Sequence, residues 1–331
     1  MPGLRKRGEE IRGFILQNAT QNKNIAALTA ERFGITLPAV YKHIDRLVSE
    51  NLLTKQSGQF ALQSARHKYF YKNDGSLLED SIWEKDIKKH FSDLSENIRR
   101  NWTYGFLVIC NNAIEHSQGE KIRVVIDENR VFTAMAISDD GIGIFKNIKE
   151  KLNLPEEKDA LLELAKGKRT TDKTRHSGQG IFFTSKVFDD FMIVSDGIIF
   201  GSNPKINNLI RSKTSTLVYM RLANNSNKQL RDVFDEFSTE IPGDFDKTVV
   251  PVCLANSDDL MSRSQARRIL SGLELFKEVI LDFNGIEYIG QAFADEIFRV
   301  FSNMNPNTVI IIQNANTEVQ NMANRAKNTK L

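Results

Sequence analysis

Two glycine corners constrain this chain more than any other feature of it. The first, Asp139-Asp140-Gly141-Ile142-Gly143, closes an apolar stretch that reads as a strand. The second, Gly178-Gln179-Gly180-Ile181-Phe182-Phe183, opens a stretch that reads as a helix. Glycine serves where the backbone must turn sharply or approach a neighbour that a Cβ would strike. The free N–H groups and dipole at a helix start favour an anion there. Upstream, Cys110-Asn111-Asn112-Ala113-Ile114-Glu115-His116 ends a helix that carries an amide side chain suited to a hard cation. Each pattern alone marks only a turn or a helix end; their order, helix end, strand corner, helix opening, is what restricts the fold.

The surrounding elements follow from periodicity. Residues 4–62 read as three helices and a short hairpin. Ile11, Phe14 and Ile15 share one helical face, and Ile25, Leu28 and Phe33 share another before Gly34 stops that helix. Thr36 and Pro38 start a third helix whose Val40, Ile44, Leu47 and Val48 point inward. Residues 63–83 read as a connector with a turn at Asn73-Asp74-Gly75-Ser76. The chain is then helical from Glu84 to Ser117, and strands Lys121–Asp127 and Val131–Ser138 follow around a tight turn. Three short strands end near Leu222. Strand and helix alternate over 247–322, which implies an α/β layer with at least partly parallel strands.

At 331 residues the chain is long enough for two or three domains. With 40% hydrophobic and 26% charged residues it reads as a soluble globular protein, and no apolar run is long enough to span a bilayer. The two cysteines, Cys110 and Cys253, have no CxxC or His-rich neighbour, so neither a disulfide framework nor a zinc site is expected. No apolar h-region follows the basic start, and the cytoplasm is the expected location. The net charge of +3 is too small to imply nucleic acid by itself.

Taken in order, the three central patterns resemble the N, G1 and G2 boxes of the GHKL (Bergerat, histidine-kinase-like) ATPases, over roughly residues 84–222. The resemblance implies an α/β sandwich, a mixed sheet with helices on one face, binding ATP or ADP with Mg²⁺. Asn112 would ligate the metal, and His116 would be a further nucleotide-binding residue. Asp139, acceptor-only when ionised, would take the adenine amine. Gly141 and Gly143 would let backbone approach base and sugar, and Gly178, Gln179, Gly180 and Ile181 would cradle phosphate. Thr216 would close the adenine pocket. The basic stretch Lys166-Gly167-Lys168-Arg169-Thr170-Thr171 would be a lid over the phosphates, with Lys168, Thr170 and Thr171 as contacts. Its alternative reading is a solvated basic loop.

One position departs from that pattern. The glutamate that serves as general base one helical turn before the metal-ligating Asn is here Val108, and valine accepts no proton. Glu115 lies one turn on the other side and would approach from the wrong end. A shifted register with Asn111 as ligand places Leu107 at the base position instead. Slow or absent hydrolysis is therefore expected, although Asn112-Ala113-Ile114-Glu115-His116 resembles anti-sigma-factor kinases. Such ATPase domains often dimerise, so a homodimer is admitted too.

The flanks carry two further resemblances. Residues 4–62 resemble a winged helix-turn-helix, in which Tyr41, Lys42, His43 and Arg46 on the third helix and Lys55 on the wing would meet DNA, with Arg5, Lys6 and Arg7 on phosphates. The alternative is a winged helix used for protein contact. Residues 247–322, with Val279-Ile280-Leu281-Asp282-Phe283-Asn284-Gly285 ahead of Gly290-Gln291-Ala292-Phe293, resemble a STAS-like (DUF4325) module. No hydroxyl stands where STAS antagonists carry a phosphorylatable Ser, so the module is expected to pack on the ATP-binding domain or a protein partner.

The expected architecture is multidomain α+β: winged helix 1–63, connector 64–83, GHKL domain 84–237, STAS-like α/β domain 238–325 and tail 326–331. The leading expectation is an ATP-binding, DNA-binding regulator. An anti-sigma-type Ser/Thr kinase or slow ATPase, and an ATP-bound interaction scaffold in a stress or phage-defence operon, are the alternatives.

Overall fold

The computed structural model describes residues 2–19, 24–56, 59–168, 179–201, 215–255 and 260–329. The chain begins with α1 (Pro2–Asn18), α2 (Ile25–Phe33) and α3 (Leu37–Ser49), then the antiparallel pair β1 (Leu53–Gln56) and β2 (Gln59–Leu62). The Asn24 side chain caps α2 by accepting from the Ala27 amide at 3.3 Å. Gly34 ends that helix in the left-handed region, at φ 61°. Ile11, Ile15, Ile25, Val40, Ile44, Leu47 and Leu53 close a small core of their own.

The central unit comprises β3 (Ala65–Lys72), α4 (Glu79–Ile82), α5 (Glu96–His116), β4 (Lys121–Glu128) and β5 (Phe132–Asp139). It continues with α6 (Ile144–Leu152), α7 (Asp159–Lys166), α8 (Gly180–Val187), β6 (Asp190–Ser195), β7 (Ile198–Gly201) and β8 (Thr216–Ala223). The sheet order is β3-β4-β5-β8-β6-β7. Every pairing in it is antiparallel, where a mixed sheet was expected. The reason lies in the crossover. The helices α6–α8 return the chain so that β5 and β6 run in the same direction, but β8 inserts between them and is antiparallel to both.

Residues 64–83, expected to connect domains, supply the edge strand β3 and the start of the helical cover. Trp83 and Ile82 enter the central core beside Phe91, Trp102 and Phe106. The strand was hard to read because its inward positions are His67, Tyr69 and Tyr71, amphipathic side chains whose polar ends hide the alternation. One face of the sheet, with Val124, Ile126, Met135, Ile137, Val218 and Met220, packs on α5 through Trp102, Phe106, Ile109 and Cys110.

After α9 (Leu230–Glu236) the last unit runs β9 (Lys247–Pro251), α10 (Arg263–Leu270), β10 (Glu278–Asp282) and α11 (Gln291–Asp295). A π-helical stretch, Glu296–Phe301, leads into α12 (Ser302–Met304), β11 (Val309–Gln313) and α13 (Thr317–Asn328). Its three strands are parallel, in the order β11-β10-β9. Helix α13 continues into the stretch expected to be a tail, and Ala326 is buried there. Ser262 and Gln265 form a capping box at the start of α10. Among the described residues no helix is long and apolar enough to cross a membrane.

The central and last units share a core. Leu162 of α7 and Phe182 and Phe183 of α8 pack with Phe245, Phe276, Val279 and Ile269. Phe182 and Phe183 lie 4.8 and 4.9 Å, centroid to centroid, from the Phe245 ring.

Candidate functional site

Asp139 and Thr216 stand opposite each other at the ends of β5 and β8. The Asp139 carboxylate is buried and accepts from the Gly141 amide at 3.0 Å. Burial pushes its carboxyl up to about 6, against the opposing pull of the Gly141 amide and the Thr216 hydroxyl. At neutral pH it is still mostly ionised, and so it remains an acceptor. Thr216 Oγ1 also accepts from the Ile144 amide at 3.1 Å, which ties β8 to the first turn of α6.

The corner after β5 is stapled to the end of α5. The Ile142 amide donates to the Ser117 carbonyl at 2.8 Å. Asn147 Nδ2 donates to the His116 carbonyl at 2.9 Å. A Cβ on Gly141 would fall 1.9 Å from that Ser117 oxygen, so the helix end and the corner touch only because position 141 is glycine. Gly143 has φ 86°, and its Cβ would lie 2.6 Å from Asp196 Oδ2. The resemblance implies room for base and sugar at both glycines; in the structure their immediate neighbours are protein.

Asn112 is half-buried on α5, little more than about one helical turn before that stapled end. Val108, one turn earlier, is half-buried and packs with the central core. Its Cγ1 would lie 2.8 Å from a Cβ on Gly180, so the start of α8 rests on the turn that carries Val108. The α5 helix thus joins the Asp139 corner to the Gly180 corner. Glu115 is exposed and His116 half-buried at the far end of α5. Gln179 precedes α8, and Ile181 packs partly into the central core. Gly178, Thr170 and Thr171 lie outside the described residues.

Lys168 takes a partner that the sequence does not suggest. Its Nζ donates to the Leu275 carbonyl at 2.7 Å and sits 4.5 Å from the Phe276 ring centroid. Burial holds its ammonium below the ordinary lysine value, partly offset by Asp246 and Asp244. Two residues earlier, Lys166 is only 1% exposed and bridges the units. Its Nζ donates to Glu163 Oε1 at 2.8 Å and to the carbonyls of Arg268 and Ser271 at 2.9 and 3.0 Å. The Lys166 carbonyl in turn accepts from Thr248 Oγ1 at 2.9 Å. Sequence reasoning placed both lysines in one basic stretch; nothing local distinguishes a buried interdomain lysine from a solvated one.

On the N-terminal unit, Tyr41, Lys42 and Arg46 occupy the exposed arc of α3, and Lys55 is exposed on β1. Arg46 pairs with Glu50 at 2.7 Å. His43 turns toward α1, half-buried, and burial together with Arg12 and Arg46 lowers its pKa. The structure therefore brings Tyr41, Lys42 and Arg46 together and sets His43 apart. Arg7 donates to the Phe33 carbonyl at 2.9 Å, and Lys6 is exposed; the Arg5 side chain lies outside the described residues.

A cleft of about 970 Å³ separates α1 and the end of α3 from the central sheet. Glu9, Arg12 and Glu50 line one wall, and His90, Asp93 and Glu128 line the other. None of the residues around Asp139 lines it.

Residues 265–320 match the family described as a STAS-like domain of unknown function (DUF4325). The match runs from within α10 to the first turn of α13 and includes the parallel pair β10–β11. No curated relative matches the chain significantly.

Proposed function

We propose that the central unit binds ATP, or ADP, with Mg²⁺, and that the nucleotide acts through α8 on the STAS-like domain to regulate a DNA-binding N-terminal unit. The observation that carries the reading is the α5 helix. It is fastened at one end to the corner bearing Asp139 and Thr216, and it supports the Gly180 corner through Val108. In this reading Asp139 accepts from the adenine amine while Thr216 holds it in place. The Asn112 amide oxygen ligates Mg²⁺, which favours hard oxygen donors. The amides at the start of α8 meet the phosphates.

The nucleotide is bound rather than consumed. The position that would polarise an attacking water is a valine packed under Gly180. Coupling follows from connectivity. The residues after Gly180 are Ile181, Phe182 and Phe183, and the last two enter the core shared with the STAS-like domain. Phosphate contacts that shift α8 must shift that core. A ligand biases two arrangements only if it binds them differently.

A second reading has its own support. Lys42 and Arg46 on the exposed arc of α3 are balanced by Asp45 and Glu50. A surface so nearly neutral suits protein contact, which makes the molecule an ATP-bound interaction scaffold. A mobility-shift assay on the DNA upstream of the gene, with and without ATP–Mg²⁺, separates the two. Nucleotide-dependent DNA affinity supports the switch; identical affinity in both states, or no binding in either, sinks it.

A further inference from the structure

A second cluster of chemistry-bearing side chains lies away from the proposed nucleotide site, at the β3 edge of the central sheet. His67 is on β3, His90 is on the 3₁₀ turn Lys88–Phe91, and Glu128 ends β4. Their ligating atoms all lie within 4.8 Å of one another. His67 Nε2 is 3.0 Å from Glu128 Oε1, and His90 Nδ1 is 3.4 Å from Glu128 Oε2. The two imidazole rings are 4.4 Å apart, centroid to centroid.

We propose that His67 Nε2, His90 Nδ1 and the Glu128 carboxylate bind a divalent metal ion of the zinc class, with a fourth position open to the interdomain cleft. The donor set is borderline, two imidazole nitrogens and one carboxylate oxygen, which suits Zn²⁺. Tetrahedral zinc with bonds of about 2.0–2.1 Å has donor–donor edges of roughly 3.3 Å. The two carboxylate–imidazole separations, each to a different carboxylate oxygen, are near that value, and the three donors, within 4.8 Å of one another, draw together on binding. Each imidazole ligates as the neutral ring: where its N–H points at Glu128, that proton moves to the ring's other nitrogen as the metal takes its place.

Two further observations point the same way. The other ring nitrogen of His90, Nε2, is 2.7 Å from the Tyr69 hydroxyl. An imidazole that ligates through Nδ1 needs such a partner for its Nε2–H, which fixes the tautomer and the ring plane. His90 and Glu128 also line the cleft, whereas His67 does not. The open coordination position therefore faces the cleft and the opposite wall of Glu9, Arg12 and Glu50, where water or an anionic ligand completes the shell.

The fold explains the gathering. In the β3–β4 register Ala65 pairs with Glu128 and His67 with Ile126, so Glu128 and His67 are diagonal neighbours on one face. The 3₁₀ turn covering that edge delivers His90. No local motif links the three positions in sequence. The site is independent of nucleotide binding.

The test is titration of the metal-stripped full-length chain with Zn²⁺, and in parallel with Co²⁺, whose visible absorption reports coordination geometry. Saturable binding of one ion per chain is expected, with the intense bands of tetrahedral Co²⁺. His67→Ala, His90→Ala and Glu128→Gln should each weaken binding at least tenfold. Tyr69→Phe, which removes no ligand and leaves the ring in place, should weaken it about 10–100-fold. Circular dichroism and thermal melts establish that each variant is folded. Absence of saturable binding, an octahedral Co²⁺ spectrum, or affinity unchanged in Tyr69→Phe and the folded ligand variants would overturn the proposal.

Discussion

Asp139 is held in the folded chain at a cost. Its folded-state carboxyl is raised from 3.8 to about 6, chiefly by burial. The group therefore opposes folding. That opposition is absent below about pH 4, grows as pH rises toward about 6, and is fully present above it. Asp139→Asn keeps the shape and removes the charge. It should raise the apo-protein's stability at neutral pH by roughly 2–3 kcal/mol, measured by denaturant unfolding, and the gain should vanish near pH 4. The same substitution should abolish nucleotide binding: with the amide oxygen held by the Gly141 N–H, the Asn side chain turns its donor NH2 toward the adenine amine. For the wild type, nucleotide affinity should fall as pH drops through about 6. Gly141→Ala is a different kind of probe. Its Cβ meets the Ser117 carbonyl at 1.9 Å, so the loss should reach or exceed the upper end of the ~1–3 kcal/mol cost of overpacking, read from the unfolding midpoint. Position 141 was legible in the sequence as a glycine corner. That its tight neighbour is the end of α5 was not, because the contact joins residues from separate elements.

At the scale of elements, the legible parts were those with local signals. The Asn24 and Gly34 boundaries of α2, the hairpin β1–β2 and the alternation of β9, α10, β10 and β11 all follow from periodicity and caps. The edge strand β3 was missed because His67 and Tyr69 look like surface residues until α4 and the turn that follows cover them. The sheet direction was misread because it depends on β8 inserting between β5 and β6, which no local pattern encodes. The α7 helix is the least legible of all, since its Lys166 reads as part of a solvated basic stretch. In the structure Lys166, paired with Glu163 on its own helix, holds the central and STAS-like units together through the carbonyls of Arg268 and Ser271. Lys166→Met should destabilise the protein by about 3–5 kcal/mol, because it leaves buried polar groups without their cation. The double variant with Glu163→Leu should recover part of that loss. Chemical unfolding of the three forms checks both statements; a single variant as stable as wild type would show that the lysine does not bridge the units in solution.

At the scale of the whole molecule, the three units are linked in series. The N-terminal helices face the central sheet across the cleft, and the STAS-like domain shares a core with α7 and α8. If the nucleotide acts through α8, ATP–Mg²⁺ should slow amide exchange in α8 and in α10 and β10 of the STAS-like domain. Protection confined to the β5 corner would mean that binding is not transmitted. The most direct measurement of the central claim is a calorimetric titration of ATP–Mg²⁺ into the full-length wild type and Asp139→Asn. The account predicts saturable binding of one nucleotide per chain to the wild type and none to the folded, more stable variant. Failure of the wild type to bind, or equal binding by the two proteins, would contradict it.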